Sequence, residues 1–165
     1  MLEVWEITDR QEKLEIAAEI LYQLPDWFGI PEATANYVKE CANLDLWAVL
    51  DRIRPVGFIA LKQHFAAAAE LYVLGVLQDY HRQGVGRQLL AAVEKHCQEQ
   101  GIRFLQVKTL DPAKENVSYD RTRSYYLAMG FTPLETFLTL WDAGNPCLQM
   151  IKVIEQINGT NEIQE

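Results

Sequence analysis

The chain has 165 residues and a net charge of −8, with 49% hydrophobic and 23% charged residues. That length suits one domain able to bury roughly two-thirds of its unfolded surface. The acidic balance argues against a dedicated nucleic-acid binder, which would carry a basic face. No apolar run reaches the ~20 residues needed to span a bilayer, so no membrane is expected either.

Residues 2–7 alternate as a first strand through Leu2, Val4 and Ile7. Thr8 stands three residues before Gln11, the spacing of a capping box. Leu14, Ala17, Ile20, Leu21 and Leu24 then form the apolar stripe of a helix, which Pro25 ends. Pro31 suits the first turn of a second helix carrying Tyr37, Val38 and Cys41. Between the helices lies Asp26-Trp27-Phe28. Trp27 and Phe28 either line a pocket for an amine or plug the space between the helices. Cys41, Cys97 and Cys147 are far apart and odd in number, with no recognisable secretory signal, so reduced thiols in a cytoplasmic protein are expected.

Leu46–Leu50 and Val56–Leu61 read as two strands joined through residues 51–55, and residues 64–69 as a connection. His64 and His96 have no acidic or cysteine partners at metal-ligand spacing, so no metal is expected. Leu71–Leu77 is nearly all apolar, as a central strand covered on both faces would be. After the turn at residues 81–87, Leu89, Leu90, Val93 and Cys97 mark a long helix, with Gly101 placed to close it. Phe104, Leu105 and Val107 begin another buried strand, and Lys108–Pro112 leave the sheet. A helix follows around Tyr119–Met129, then a strand pair at Thr132–Leu140 and Cys147–Val153. Residues 1–154 thus form one domain and 155–165 a polar tail. Asn158-Gly159-Thr160 matches a glycosylation sequon, which a chain with no signal peptide is not expected to use. The order implies a three-layer α/β fold with a mixed sheet.

Chemistry becomes legible in His81-Arg82-Gln83-Gly84-Val85-Gly86-Arg87. Two glycines let a ligand approach the backbone, and the free N–H groups of a helix start favour an anion. Arg82 and Arg87 add positive charge at the same end, so a pyrophosphate fits. A P-loop would need Lys and Ser or Thr after the last glycine, where Arg87-Gln88 stand. A dinucleotide fold would want Gly or Ala at Leu89, although Asp111 sits just past the next strand.

The run His81-x-x-Gly84-x-Gly86, opening a helix after a strand, resembles the acetyl-CoA loop of the GCN5-related N-acetyltransferases, the GNAT superfamily. Tyr125-Tyr126-Leu127-Ala128-Met129-Gly130-Phe131 resembles that family's second signature. Tyr119 and Thr122 stand where the family commonly has Asn and Ala. The resemblance implies a sheet splayed after its central strand to admit the cofactor's pantetheine arm. Leu74, Gly75 and Val76 would bond that arm through their backbones, with Tyr119 beside it. Residues His81, Arg82, Gln83, Gly84, Val85, Gly86 and Arg87 would hold the pyrophosphate. It further implies Glu70 as general base and Tyr126 as general acid for transfer from acetyl-CoA.

The expected acceptor is an amine of a small molecule or a peptide. The acidic balance and the Asp26-Trp27-Phe28 loop suggest that it is cationic or aromatic. A side chain at Gly86 is expected to block the anion site without disturbing the fold. A homodimer is left open. Two rivals remain: a nucleotide-cofactor (NAD-type) oxidoreductase with the same loop, and a non-catalytic acyl-CoA-binding module that needs neither Glu70 nor Tyr126.

Overall fold

A computed structural model describes residues 1–157. The sequon at 158–160 and most of the tail lie outside the described residues. The elements are β1 (Leu2–Ile7), α1 (Arg10–Leu21), α2 (Pro31–Cys41), β2 (Asp45–Asp51), β3 (Arg54–Phe65), β4 (Ala68–Val76), α3 (Val85–Gln100), β5 (Phe104–Leu110), α4 (Val117–Ala128), β6 (Thr132–Asp142) and β7 (Asn145–Val153). They build one seven-stranded sheet in the order β1-β2-β3-β4-β5-β7-β6. Every pairing is antiparallel except β4 with β5.

Local chemistry moves several boundaries from their expected places. Asp9, not Thr8, caps α1, its carboxylate accepting from the Glu12 N–H at 2.9 Å. The helix closes at Tyr22, three residues ahead of Pro25. Residues 64–69 are not a loose connection: β3 continues to Phe65 and β4 starts at Ala68, with two alanines turning between them. Lys108, Thr109 and Leu110 stay in the sheet, because β7 offers them Gln149, Leu148 and Cys147 as partners. Asn116, unremarked in the sequence, caps α4 by accepting from the Tyr119 N–H at 3.1 Å.

Two glycines set the layer spacing. Gly57 and Gly75 lie on neighbouring strands, offset by one residue, and so face opposite ways. A Cβ on Gly75 would lie 3.0 Å from Ile20 of α1, and one on Gly57 would lie 2.7 Å from Val85 of α3. The two helices therefore press on opposite faces of the central strands, giving three layers. Ile20, Phe58, Leu89 and Val93 fill the core between them, each fully buried.

Val85 opens α3 next to the glycine loop, so the Gly57 contact ties that loop to the sheet. We expect Gly57→Ala to cost about 1–3 kcal/mol, as overpacking does, because a β-branched valine has little freedom to yield. Urea unfolding of a double-mutant cycle checks this: the cost should largely vanish in a Val85→Ala background. Equal costs in both backgrounds would place the strain elsewhere.

Candidate active site

The site begins where β4 and β5 part. Their parallel ladder joins only Ala68, Ala69 and Glu70 to Phe104, Leu105 and Gln106. Beyond Glu70 the strands separate and a cleft of about 1050 Å³ opens between them. Leu71 to Val76 line one wall and Val107 to Thr109 the other, with the start of α3 at one end and α4 alongside.

The backbone of β4 is unevenly available to this cleft. The Leu77 N–H donates to Val56 O at 2.9 Å, so the antiparallel alternation points the peptide groups of Gly75 at β3. Those of Leu74 and Val76 point into the cleft. Gly75 thus leaves the expected trio of cleft-facing backbones; its glycine character serves the approach of α1 instead. His81 Nε2 donates to Val76 O at 2.8 Å, so that carbonyl is already bonded within the loop.

At the wide end the chain turns left-handed twice, at Arg82 (φ 61°) and Gly84 (φ 80°). Only glycine adopts the second conformation without strain, and the space above Gly84 is open. Gly84 is the N-cap of α3 and supplies no side-chain acceptor. The first ladder bond runs from Gln88 N–H to Gly84 O, which leaves the N–H groups of Val85, Gly86 and Arg87 without helical partners. Arg82 and Arg87 border the same end of the cleft. An anionic cofactor fits this cradle.

Gly86 corrects one expectation. A Cβ there would lie 2.9 Å from the Tyr125 ring, whose hydroxyl donates to Gly86 O at 2.8 Å. Any side chain at this position pushes on the Tyr125 ring and its hydrogen bond as well as filling the anion site, so such a substitution also strains the contact between α3 and α4.

Trp27 spans the cleft. Its indole N–H donates to Ser118 O at 3.1 Å and to Thr122 Oγ1 at 3.0 Å. The Tyr119 hydroxyl donates back to Trp27 O at 2.9 Å, and the indole meets the His81 ring edge-on at 5.7 Å. The two departures from the family pattern, Tyr119 and Thr122, are therefore both partners of Trp27. Phe28 lines the cleft beside it, whereas Asp26 does not.

Tyr126 borders the cleft, nearly enclosed, with its ring between those of Tyr125 and Phe131. Its hydroxyl makes no hydrogen bond among the described residues. Burial pushes its pKa far above the ordinary ~10, with the nearby tyrosines adding to the shift. Burial also pushes Tyr119 up to about 12. Both phenols are thus held protonated at neutral pH.

Glu70 is buried and already engaged. Its carboxylate accepts from Lys108 Nζ at 3.3 Å on each oxygen and shares a 2.8 Å hydrogen bond with His64 Nε2. Lys108 lines the cleft; Glu70 sits immediately behind it. Lys108 and His64 were not singled out as site residues from sequence, because only the strand register brings them to Glu70. Thr109 is the other unforeseen member: it borders the cleft, and its buried hydroxyl has no partner among the described residues. No group of three metal-ligating side chains occurs among the described residues.

A largely antiparallel sheet parted at one parallel pair, with an uncapped helix start at the parting, is not a doubly wound dinucleotide fold, whose sheet is parallel. The family model described as acetyltransferase (GNAT) domain matches residues 42–133. The chain belongs to the GNAT acetyltransferase family. A GNAT-family protein from Desulfovibrio desulfuricans superposes with a TM-score of 0.80 at 16% identity, covering 94% of this chain and 100% of that one. The ribosomal-protein-S18-alanine N-acetyltransferase of Escherichia coli gives 0.73 at 19% identity, covering 98% of both. An aminoglycoside 6'-N-acetyltransferase complexed with coenzyme A gives 0.73 at 18%, covering 95% and 99%. Among proteins of curated function none matches the sequence. No helix among the described residues is long and apolar enough to cross a membrane.

The Trp27 contacts predict a coupling. Trp27→Phe keeps an aromatic ring but removes the indole donor and part of the volume, which should cost about 1–3 kcal/mol. Amide exchange should then quicken together in residues 24–30 and 116–122. Faster exchange in one segment alone would mean that Trp27 does not tie them.

Proposed function

We propose that the chain transfers an acetyl group from acetyl-CoA directly to an amine of a small molecule or a peptide. The observation that carries this reading is the continuity of the slot: parted strands lead straight to an uncapped helix start flanked by Arg82 and Arg87. A thin polar arm with a pyrophosphate at one end fits that shape. The Leu74 peptide groups and the Thr109 hydroxyl offer hydrogen bonds along the arm, and the N–H groups of Val85 to Arg87 offer them to the anion.

In this reading the amine must first lose a proton. At pH 7 an alkylammonium of pKa ~10.4 resists that by about 4.6 kcal/mol. Glu70, behind the cleft wall, takes the proton through one water, and Lys108 fixes the carboxylate in place. The amine attacks the thioester carbonyl, and the departing sulfur receives the proton of the Tyr126 hydroxyl. Tyr126 recovers it from the second proton shed by the nitrogen.

The walls speak to the acceptor. Arg82, Arg87, Lys108 and Arg121 border the cleft, against Asp120 as the lone carboxylate among the described lining residues. The net acidity of the chain is therefore not concentrated on the cleft walls. Trp27, Phe28, Tyr37 and Trp141 remain as ring faces for an aromatic or apolar amine. Arg82 and Arg87 face the cofactor's anion, so the ring faces favour a small aromatic or cationic amine or a peptide N-terminus.

The test is release of CoA thiol, with mass spectrometry of the acetylated product, across a panel of such amines. Tyr126→Phe should lower kcat by about a hundredfold or more and leave acetyl-CoA affinity nearly unchanged. Because burial raises the phenol's pKa, its acid form persists below pH ~10, so the wild-type profile should show no alkaline limb there from Tyr126. Turnover by Tyr126→Phe at the wild-type rate would remove the general-acid role.

A further inference from the structure

Resting on the acetyl transfer proposed above, we propose that His64 relays the acceptor's proton from Glu70 to solvent. Two interruptions of the β3–β4 ladder flank Glu70. Ala60 pairs Val73 while Leu61 pairs Leu71, so Tyr72 is an extra residue in β4. Gln63 pairs Ala69 while Phe65 pairs Ala68, so His64 is an extra residue in β3. Bulges re-aim side chains and gather next to active sites. Here they bring His64 to 2.8 Å from the Glu70 carboxylate, with Tyr72 at the cleft wall.

The proton bookkeeping calls for an exit. An ammonium acceptor carries three protons; the amide keeps one, the CoA thiol takes one through Tyr126, and the third reaches Glu70. The Glu70 side chain is 9% exposed and cannot hand that proton to bulk water readily. Of its two close partners, Lys108 offers donors and no acceptor. The imidazole of His64, once exchange with solvent or a ring flip leaves Nε2 free, can accept there while releasing a proton from Nδ1, and its side chain is 33% exposed. The other titratable groups near Glu70 are Tyr37 on α2, Tyr72 on β4 and Cys147 on β7. Burial raises all three, Tyr72 to about 12 and Cys147 to about 11, so none exchanges protons near neutrality. Lys62, directly opposite Glu70, is paired with Glu40 of α2. His64 is left as the only exchanger in the cluster among the described residues.

His64→Gln tests this, because an amide still donates to Glu70 but cannot pass a proton on. In weak buffer at pH 7 the variant's kcat should fall tenfold or more, with acetyl-CoA affinity unchanged. Added imidazole should restore the rate in proportion to its concentration and leave the wild type unaffected. A wild-type rate in the variant, or a loss that imidazole does not repair, overturns the relay. A second measurement needs no turnover and no change at His64: in Glu70→Gln the ring ¹⁵N resonances of His64 should move while those of His81 and His96 stay. Unmoved His64 resonances also overturn it. If the wild-type protein releases no CoA with any amine while the ¹⁵N shifts behave as expected, acetyl transfer falls and takes the relay with it, although the His64–Glu70 bond stands.

Discussion

The parting of β4 from β5 after three ladder residues is the constraint on which the site depends. A central strand normally bonds on both edges. Here the edge of β4 beyond Glu70 faces a cleft, and a buried peptide group left unpaired costs on the order of 1–3 kcal/mol. His81 satisfies the carbonyl of Val76 from within the loop; the Leu74 groups are left for whatever fills the slot. The same parting delivers the chain to a helix whose first N–H groups have no caps. Unsatisfied polarity on the strand and at the helix thus converges on one channel, which is how the fold makes a binding site from backbone alone.

Keeping that channel open while holding its walls in register requires cross-bracing. Arg123 does part of it, donating to Leu110 O at 2.6 Å at the end of β5 and pairing with Asp120 on its own helix. Tyr125 braces α4 against the start of α3 through Gly86, and Trp27 braces it against the loop between α1 and α2. The last brace gives the unusual Tyr119 and Thr122 a physical role: each holds Trp27, one by its hydroxyl on the backbone and the other by accepting from the ring. Residues that look like losses from a signature are gains in a contact that the signature does not describe.

Much of this was legible in the sequence because it rests on short-range patterns. The stripe from Leu89 to Cys97, the glycines at 84, 86 and 101, and the two spaced signatures predict α3, its loop and the family. What was not legible depends on register. His64 reads as part of a loose connection until an extra residue in β3 turns it toward Glu70. Lys108 reads as leaving the sheet until β7 pairs with it. Net charge says little about the cleft, since composition averages over a surface and the cleft lining holds Arg82, Arg87, Lys108 and Arg121 against Asp120. The cap of α1 slipped by one residue because Thr8 and Asp9 are both competent, and only the geometry at Glu12 chooses between them.

The most direct test of the account is a crystal structure of the protein with CoA. The account predicts the pyrophosphate within hydrogen-bonding distance of the N–H groups of Val85, Gly86 and Arg87, and the pantetheine arm between β4 and β5 bonded to Leu74. CoA bound on another face of the sheet, or an arm lying outside the parted strands, would contradict it.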